Sequence, residues 1–161
     1  MNARRLAETA LLGTLLFAAG LLRLPSPVPG SEFQLSAPLA VAVCGVWGFR
    51  VYFLAGCLAT VLSLLCGGAT VFHALVAMTF RLGAGAVYLL LGPTRLFYVL
   101  AGPAGTLAAR AVLSLAAGGG FAALALAALP GMLLTAASSR PLARVLQRAK
   151  RMSPVGSLRE M

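Results

Sequence analysis

The stretch Leu24–Pro38, read as LPSPVPGSEFQLSAP, separates two long apolar runs near the start of this 161-residue chain. Prolines at positions 25, 27 and 29 followed by a glycine cannot continue a helix, so the stretch is predicted to be an ordered turn or loop. It contains Glu32, the one acidic residue between positions 9 and 159. A lone carboxylate in such a bent loop favours ligand contact, and a plain solvated hairpin is the alternative.

The composition places the chain in a membrane. Hydrophobic residues make up 60% of it and charged residues 10%, and the mean hydropathy is +0.96, well outside the range of soluble domains. Because a helix needs about 20 apolar residues to cross the hydrocarbon core, we predict an all-α membrane protein with six transmembrane helices. Residues 1–140 are predicted to form one domain and 141–161 a basic tail, which begins as a helix at the membrane interface and ends in disorder. The spans are predicted near 6–22, 35–49, 51–65, 70–91, 96–115 and 121–137.

The basic side chains indicate the orientation of these spans. Thirteen Lys and Arg against three acids give a formal charge of +10, which in a soluble protein would suggest nucleic acid. In the six-span topology, however, ten of the thirteen lie on one side, at positions 4, 5, 50, 95, 140, 144, 148, 150, 151 and 159. The positive-inside rule then predicts cytoplasmic termini and an extracellular Leu24–Pro38 loop. The expected partner is the lipid bilayer, and no nucleic acid.

The sequence lacks the residues that several kinds of chemistry require. The chain has no G-x-x-x-x-G-K-[ST] phosphate loop, so no ATP hydrolysis of its own is expected. Its single histidine, His73, has no Cys, Asp or Glu at ligand spacing, and the three cysteines read as small hydrophobes. Glu32 and His73 are the only acid and base on which a serine hydrolase could draw. We expect no enzyme activity, no cofactor and no metal.

Polar residues concentrate in the outer half of the predicted bundle. Arg81 falls near the middle of span four and Arg110 nearer the outer side of span five, and each costs about 2.5–3.5 kcal/mol at a helix centre on insertion scales. Two buried arginines near one acid leave positive charge that a ligand carboxylate or phosphate would match. Alternatively, Glu32 pairs with one arginine, and carbonyls or water satisfy the other. The candidate binding residues are Glu32, Gln34, His73, Arg81, Thr106, Arg110 and Ser114.

Span one carries small residues at four-residue spacing. The pairs are Ala3/Ala7, Thr9/Gly13 and Ala10/Thr14. This spacing lets a second helix backbone approach closely. Packing inside this protein and docking of another subunit explain it equally well.

The chain resembles the substrate-binding S components of energy-coupling factor (ECF) transporters. The resemblance covers 6–137 and is most specific in the P-x-P-G-S-x-F-Q-L-S-A-P loop at 27–38 and the following Gly48-Phe49-Arg50 corner. It implies a prokaryotic cytoplasmic-membrane protein, multi-pass, that binds a vitamin or similar micronutrient near its outer face. The extracellular loop between helices 1 and 2 would cap that binding cavity. It also implies docking to a transmembrane transducer subunit driven by a pair of ATPases.

The resemblance assigns roles to particular residues. Ser31, Glu32, Phe33 and Gln34 become loop contacts to the solute, and His73 and Arg110 become wall contacts. Ala3, Ala7 and Ala10 belong to the transducer face. The alanine pattern departs from the family's, because Ala7 is followed four residues later by leucine and Ala10 by threonine.

The function expected from the sequence is therefore capture of a small solute for an ECF-type importer. The excess positive charge favours an anionic or zwitterionic solute, and a neutral one hydrogen-bonded by Ser31 and Gln34 is the alternative. The main alternative is a non-catalytic membrane scaffold, like the small polytopic subunits of cell-shape complexes. A membrane enzyme acting on lipid is a third possibility, but paired carboxylates or an aspartate cluster are absent from the sequence.

Overall fold

The computed structural model describes residues 3–25 and 32–152. This part of the chain forms six helices and a two-stranded antiparallel hairpin, in the order α1 Ala3–Leu21, β1 Arg23–Pro25, β2 Glu32–Gln34, α2 Ser36–Trp47, α3 Phe49–Leu65, α4 Val71–Leu91, α5 Arg95–Ala117 and α6 Phe121–Met152. The prediction of a helical chain with six helices is confirmed. The predicted starts of α2 to α6 lie within two residues of the observed ones.

Three helices, α4, α5 and α6, are long and apolar enough to cross a membrane. Their outer surfaces carry leucines such as Leu89 and Leu90, which are 72% and 84% exposed, as expected of side chains that face lipid. By contrast, α2 has 12 residues and is about 18 Å long, shorter than the ~30 Å hydrocarbon core. Its residues Val41–Cys44 are fully buried, so α2 forms the centre of the bundle.

Glycines set the close contacts between helices. A Cβ at Gly45 of α2 would overlap the ring of Tyr98 on α5, and one at Gly85 of α4 would overlap Phe49. At Gly102 of α5 a Cβ would meet the Thr135 side chain of α6. Each glycine therefore receives a larger side chain from a neighbouring helix, which is how membrane helices approach closely without a hydrophobic driving force between them.

The chain reverses between α2 and α3 within a single residue. Gly48 has φ of +85°, a conformation that costs other residues steric strain. Its N–H closes α2 by donating to Cys44 O at 2.9 Å, and its carbonyl accepts from Tyr52 N at 3.2 Å to begin α3. The predicted glycine-arginine corner is thus a one-residue connection.

In the stretch Leu24–Pro38, the described residues 24, 25 and 32–35 are not helical, as predicted, but the last three residues are. Strands β1 and β2 pair Leu24 with Phe33 and Pro25 with Glu32. The last three residues of the stretch, Ser36–Pro38, belong instead to the first turn of α2. A proline is tolerated there because first-turn N–H groups have no intrahelical acceptor.

Helix α6 corrects the prediction for the end of the chain. The span was expected to end near Ala137 and to be followed by a separate interfacial helix, but α6 continues without a break through Pro141 to Met152. Leu142 and Leu146 lie one turn apart and pack against the core, and Ala143 is buried. This apolar face keeps the segment helical although its other side is basic. The division into a domain 1–140 and a tail 141–161 stays a prediction.

The last turn of α6 is fastened to the end of α2. Lys150 Nζ donates to Val46 O at 3.1 Å and lies 5.0 Å from the ring centroid of Trp47. Val46 is in the last turn of α2, whose carbonyls lack intrahelical donors, and a cation is favourable at that end of the helix dipole. We call the segment 141–152 the α6 extension.

Candidate functional site

Arg81 lies at the middle of α4, as the eleventh of its 21 residues. Its Nη1 donates to Thr60 Oγ1 of α3 at 2.6 Å and approaches Met78 Sδ at 3.6 Å. Gly56 provides the space, because a Cβ there would overlap the Arg81 side chain. A charged residue at this position requires an interior location and a partner, and Arg81 has both. Gly56 and Thr60, four residues apart on α3, form the small and polar surface that receives it.

The Thr60 hydroxyl is fully used. It donates to Gly56 O at 3.1 Å, so its lone pairs accept from the guanidinium. A guanidinium has five N–H donors, and no carboxylate of the described residues forms a salt bridge with Arg81. The positive charge at this depth is therefore not neutralised by any side chain that the structure describes.

Tyr52 is a further polar residue of this region. With Trp47 and Phe53 it forms an aromatic cluster beside Arg50, a composition typical of a membrane interface. Its side chain is fully buried, and among the described residues its hydroxyl has no hydrogen-bond partner. Residues 52, 56 and 60 recur every four positions on α3, a spacing that puts them on one helix face and could have indicated their cluster. An unpaired buried hydroxyl costs about 1–3 kcal/mol, so this is a place for a water or a ligand's polar group.

Arg110 lies on α5, seven residues before the helix ends at Ala117 and so about 10 Å from that end. It is half-buried, and within residues 3–25 and 32–152 it has no described hydrogen bond or ion pair. Thr106 and Ser114 are four residues away on either side, on the same face. The Ser114 hydroxyl donates to Ala111 O at 2.8 Å. Arg110 is thus the side chain of this set best able to bind an anion.

His73 lies at the start of α4 and is exposed. Its Nδ1 is 3.0 Å from Thr70 Oγ1, and its backbone N–H donates to the same oxygen at 3.4 Å. Thr70 is thereby the N-cap of α4. His73 is eight residues, or about 12 Å, along the helix from Arg81, so these two predicted contacts do not adjoin one another.

The predicted loop contacts lie at the end of the bundle where α1 ends and α2 begins. The backbone of Glu32, Phe33 and Gln34 forms β2, and Ser31 lies outside the described residues. Their contact with a solute stays a prediction. Among the described residues no group of three or more His, Cys, Asp or Glu could hold a metal ion.

The small residues of α1 fall into two groups, one packed inside the protein and one exposed. Thr9 is buried, and a Cβ at Gly13 would overlap Leu58 of α3, so this pair packs inside the protein. Ala3, Ala7 and Ala10 are exposed. The alanine face predicted to bind a partner subunit is therefore not used in internal packing.

A curated relative is similar over most of the chain. Protein BioX from Lysinibacillus sphaericus is 42% identical over 141 residues, which cover 88% of this chain and 85% of the relative. No family model and no solved structure matches. Identity of this extent, over six helices whose contacts depend on glycines, shows common descent and a common fold. This helical membrane protein belongs to the family of Protein BioX.

Proposed function

We propose that the chain is the solute-capture (S) subunit of an ECF-type importer in a prokaryotic cytoplasmic membrane. It binds a small anionic or zwitterionic solute from the outer side and passes it inward with a transducer subunit and a pair of ATPases. It forms and breaks no bond itself. The observation that carries the proposal is Arg110, a half-buried arginine in an apolar helix without a described partner.

The electrostatics support an anionic solute. A charge inside the membrane region is costly unless it is paired, and the acids available to Arg81 and Arg110 are few, with Glu8 near the start of α1 and Glu32 in β2. A carboxylate of the solute would give Arg110 a charge-assisted hydrogen bond. Glu32 and Gln34 would close over it from the hairpin, and Arg81 with Tyr52 would bind a polar group deeper in the bundle.

The exposed face of α1 supports a partner subunit. Ala3, Ala7 and Ala10 leave the helix backbone accessible to another helix. Because the sequence has no phosphate loop, energy for uptake has to come from other chains. Solute and transducer would each favour one state of the protein by binding it more tightly than the other.

The name of the relative provides the first solute to test. Its prefix, Bio, points to biotin, and biotin ends in a carboxylate that Arg110 could bind. Equilibrium dialysis of labelled biotin against the purified protein is the direct assay. Loss of a hydrogen bond to a charged group is worth about 1.5–3 kcal/mol, so Arg110→Gln should weaken binding about 10- to 100-fold.

The matched control is Arg95→Gln, which removes the same charge from an exposed position at the opposite end of α5. Its affinity should equal that of the wild type. Absence of saturable binding would contradict biotin as the solute, and equal loss in both variants would contradict a specific contact at Arg110. The scaffold alternative is supported by the hydrogen bond of Arg81 to Thr60, an internal partner. It predicts that neither Arg110→Gln nor Arg95→Gln affects the binding of any solute.

A further inference from the structure

The α6 extension carries a basic groove that the proposed function does not use. Three arginines at positions 144, 148 and 151, together with Gln147, line a shallow groove of about 200 Å³. All four side chains are exposed. The groove has about six times the volume that one water molecule takes in the liquid, so a phosphodiester group fits it.

The helix keeps these arginines on one side. Positions 144, 148 and 151 follow the four- and three-residue spacing of a single face, while Lys150 turns to Val46 and Trp47. None of the three arginines has an ion-pair partner in the part of the chain that the structure describes. The extension thus presents three guanidinium groups together on a docked helix, so little ordering is needed to bind an anion.

The length of α6 puts the groove at the level of lipid headgroups. The helix has 32 residues and is about 48 Å long, against a hydrocarbon core of about 30 Å and a bilayer of about 40–45 Å with headgroups. Counted from Phe121, the three arginines fall about 35–45 Å along the helix, just past the core. Val145 and Met152, 61% and 85% exposed, add apolar contact with lipid beside them.

We propose that the groove formed by Arg144, Gln147, Arg148 and Arg151 binds the phosphate of an anionic membrane lipid. Two parallel N–H donors of a guanidinium match two phosphate oxygens, and the adjoining apolar side chains contact the acyl chains. The lipid would hold the extension in place against the end of α2. This inference needs no solute and is independent of the transport role.

The test is a lipid titration of the full-length protein in detergent, with bound lipid counted by native mass spectrometry. Phosphatidylglycerol should bind saturably and phosphatidylcholine should not. A basic residue near an anionic surface contributes about five-fold in affinity, so R144Q/R148Q/R151Q should lower binding on the order of 100-fold. The charge-matched control is R5Q/R50Q/R95Q, three exposed arginines elsewhere on the chain, and it should bind as the wild type does.

Trp47 is the chain's single tryptophan, so its fluorescence shows whether the extension remains docked in the triple variant. If its emission changes, the single variant Arg148→Gln replaces it, with about a five-fold expected loss. Equal binding of the two lipids, or equal loss in variant and control, would overturn the proposal. So would competition by inorganic phosphate at the concentration of the lipid, which would make the site one for a free anion.

Discussion

Replacing Thr60 with valine should destabilise the protein mainly through Arg81. Valine keeps the shape and one methyl of threonine but removes the oxygen that accepts from Arg81 Nη1 at 2.6 Å. The guanidinium would keep the Met78 sulfur at 3.6 Å, a weak acceptor. The charge at the middle of α4 would then lack its interhelical hydrogen bond.

Two ranges of hydrogen-bond free energy set the expected loss of stability in Thr60→Val. Hydrogen bonds to charged groups are worth about 1.5–3 kcal/mol in soluble proteins. Interhelical bonds in membranes average about 0.6 and reach about 1.7 kcal/mol, because the unfolded state in the membrane also finds partners. We expect Thr60→Val to lower the free energy of unfolding by about 1–2 kcal/mol. Reversible unfolding in mixed lipid and SDS micelles, followed by helical circular dichroism, measures it.

Thr135→Val is the matched control. Thr135 is also buried, and its hydroxyl donates to the carbonyl of the glycine four residues earlier, Gly131 O, at 2.8 Å, as Thr60 does to Gly56. It lacks an arginine partner among the described residues, so its replacement should change the free energy of unfolding by less than about 0.5 kcal/mol.

A double-mutant cycle with Arg81→Met isolates the pair. Once the arginine is methionine, Thr60→Val should cost little, giving a coupling energy of about 1–2 kcal/mol. Independent sites add within about 0.3–0.5 kcal/mol. Additivity within that margin, or equal effects of Thr60→Val and its control, would refute the reasoning.

Three further substitutions test other contacts. Lys150→Met removes the cation from the end of α2 and should cost about 1 kcal/mol and shift the emission of the single tryptophan; unchanged fluorescence would contradict the docking of the extension. In the same unfolding assay, Gly48→Ala should lower the free energy of unfolding by about 1–2 kcal/mol, because alanine is strained at a φ of +85°. Its control, Gly68→Ala, should be nearly neutral, because the atom nearest to the new Cβ is 3.8 Å away. Ala10→Leu should leave stability unchanged but stop co-purification of partner subunits, and Ala122→Leu, equally exposed on α6, should affect neither; assembly that survives Ala10→Leu would argue against the α1 face.

The helices could be predicted from the sequence because apolar runs and glycine or proline breaks mark them directly. Gly48 coincides with an observed reversal, and Pro25 lies in β1, just after α1 ends. The end of α6 could not be read in this way. Its charges look like the end of a span, and only packing against α2 shows that Leu142 and Leu146 continue the helix.

The site was predictable only in part. An arginine at the centre of an apolar run requires an interior partner, so Arg81 was identifiable, but nothing in its own span names Thr60 as that partner. Pairing depends on which face of α3 meets α4, and that is decided by packing at Gly56. The burial of Tyr52 could not be predicted, because an aromatic beside Arg50 has the composition of a membrane interface, while burial is a tertiary property.

Native mass spectrometry of the protein, purified gently from its host membrane, tests most directly whether the chain holds a small solute through Arg110. We expect one bound species of small-molecule mass in the wild type and in Arg95→Ala. The same species should be lost in Arg110→Ala and in Glu32→Ala. A protein free of small molecules, or lipid adducts that persist in both variants, would contradict solute capture and favour a scaffold.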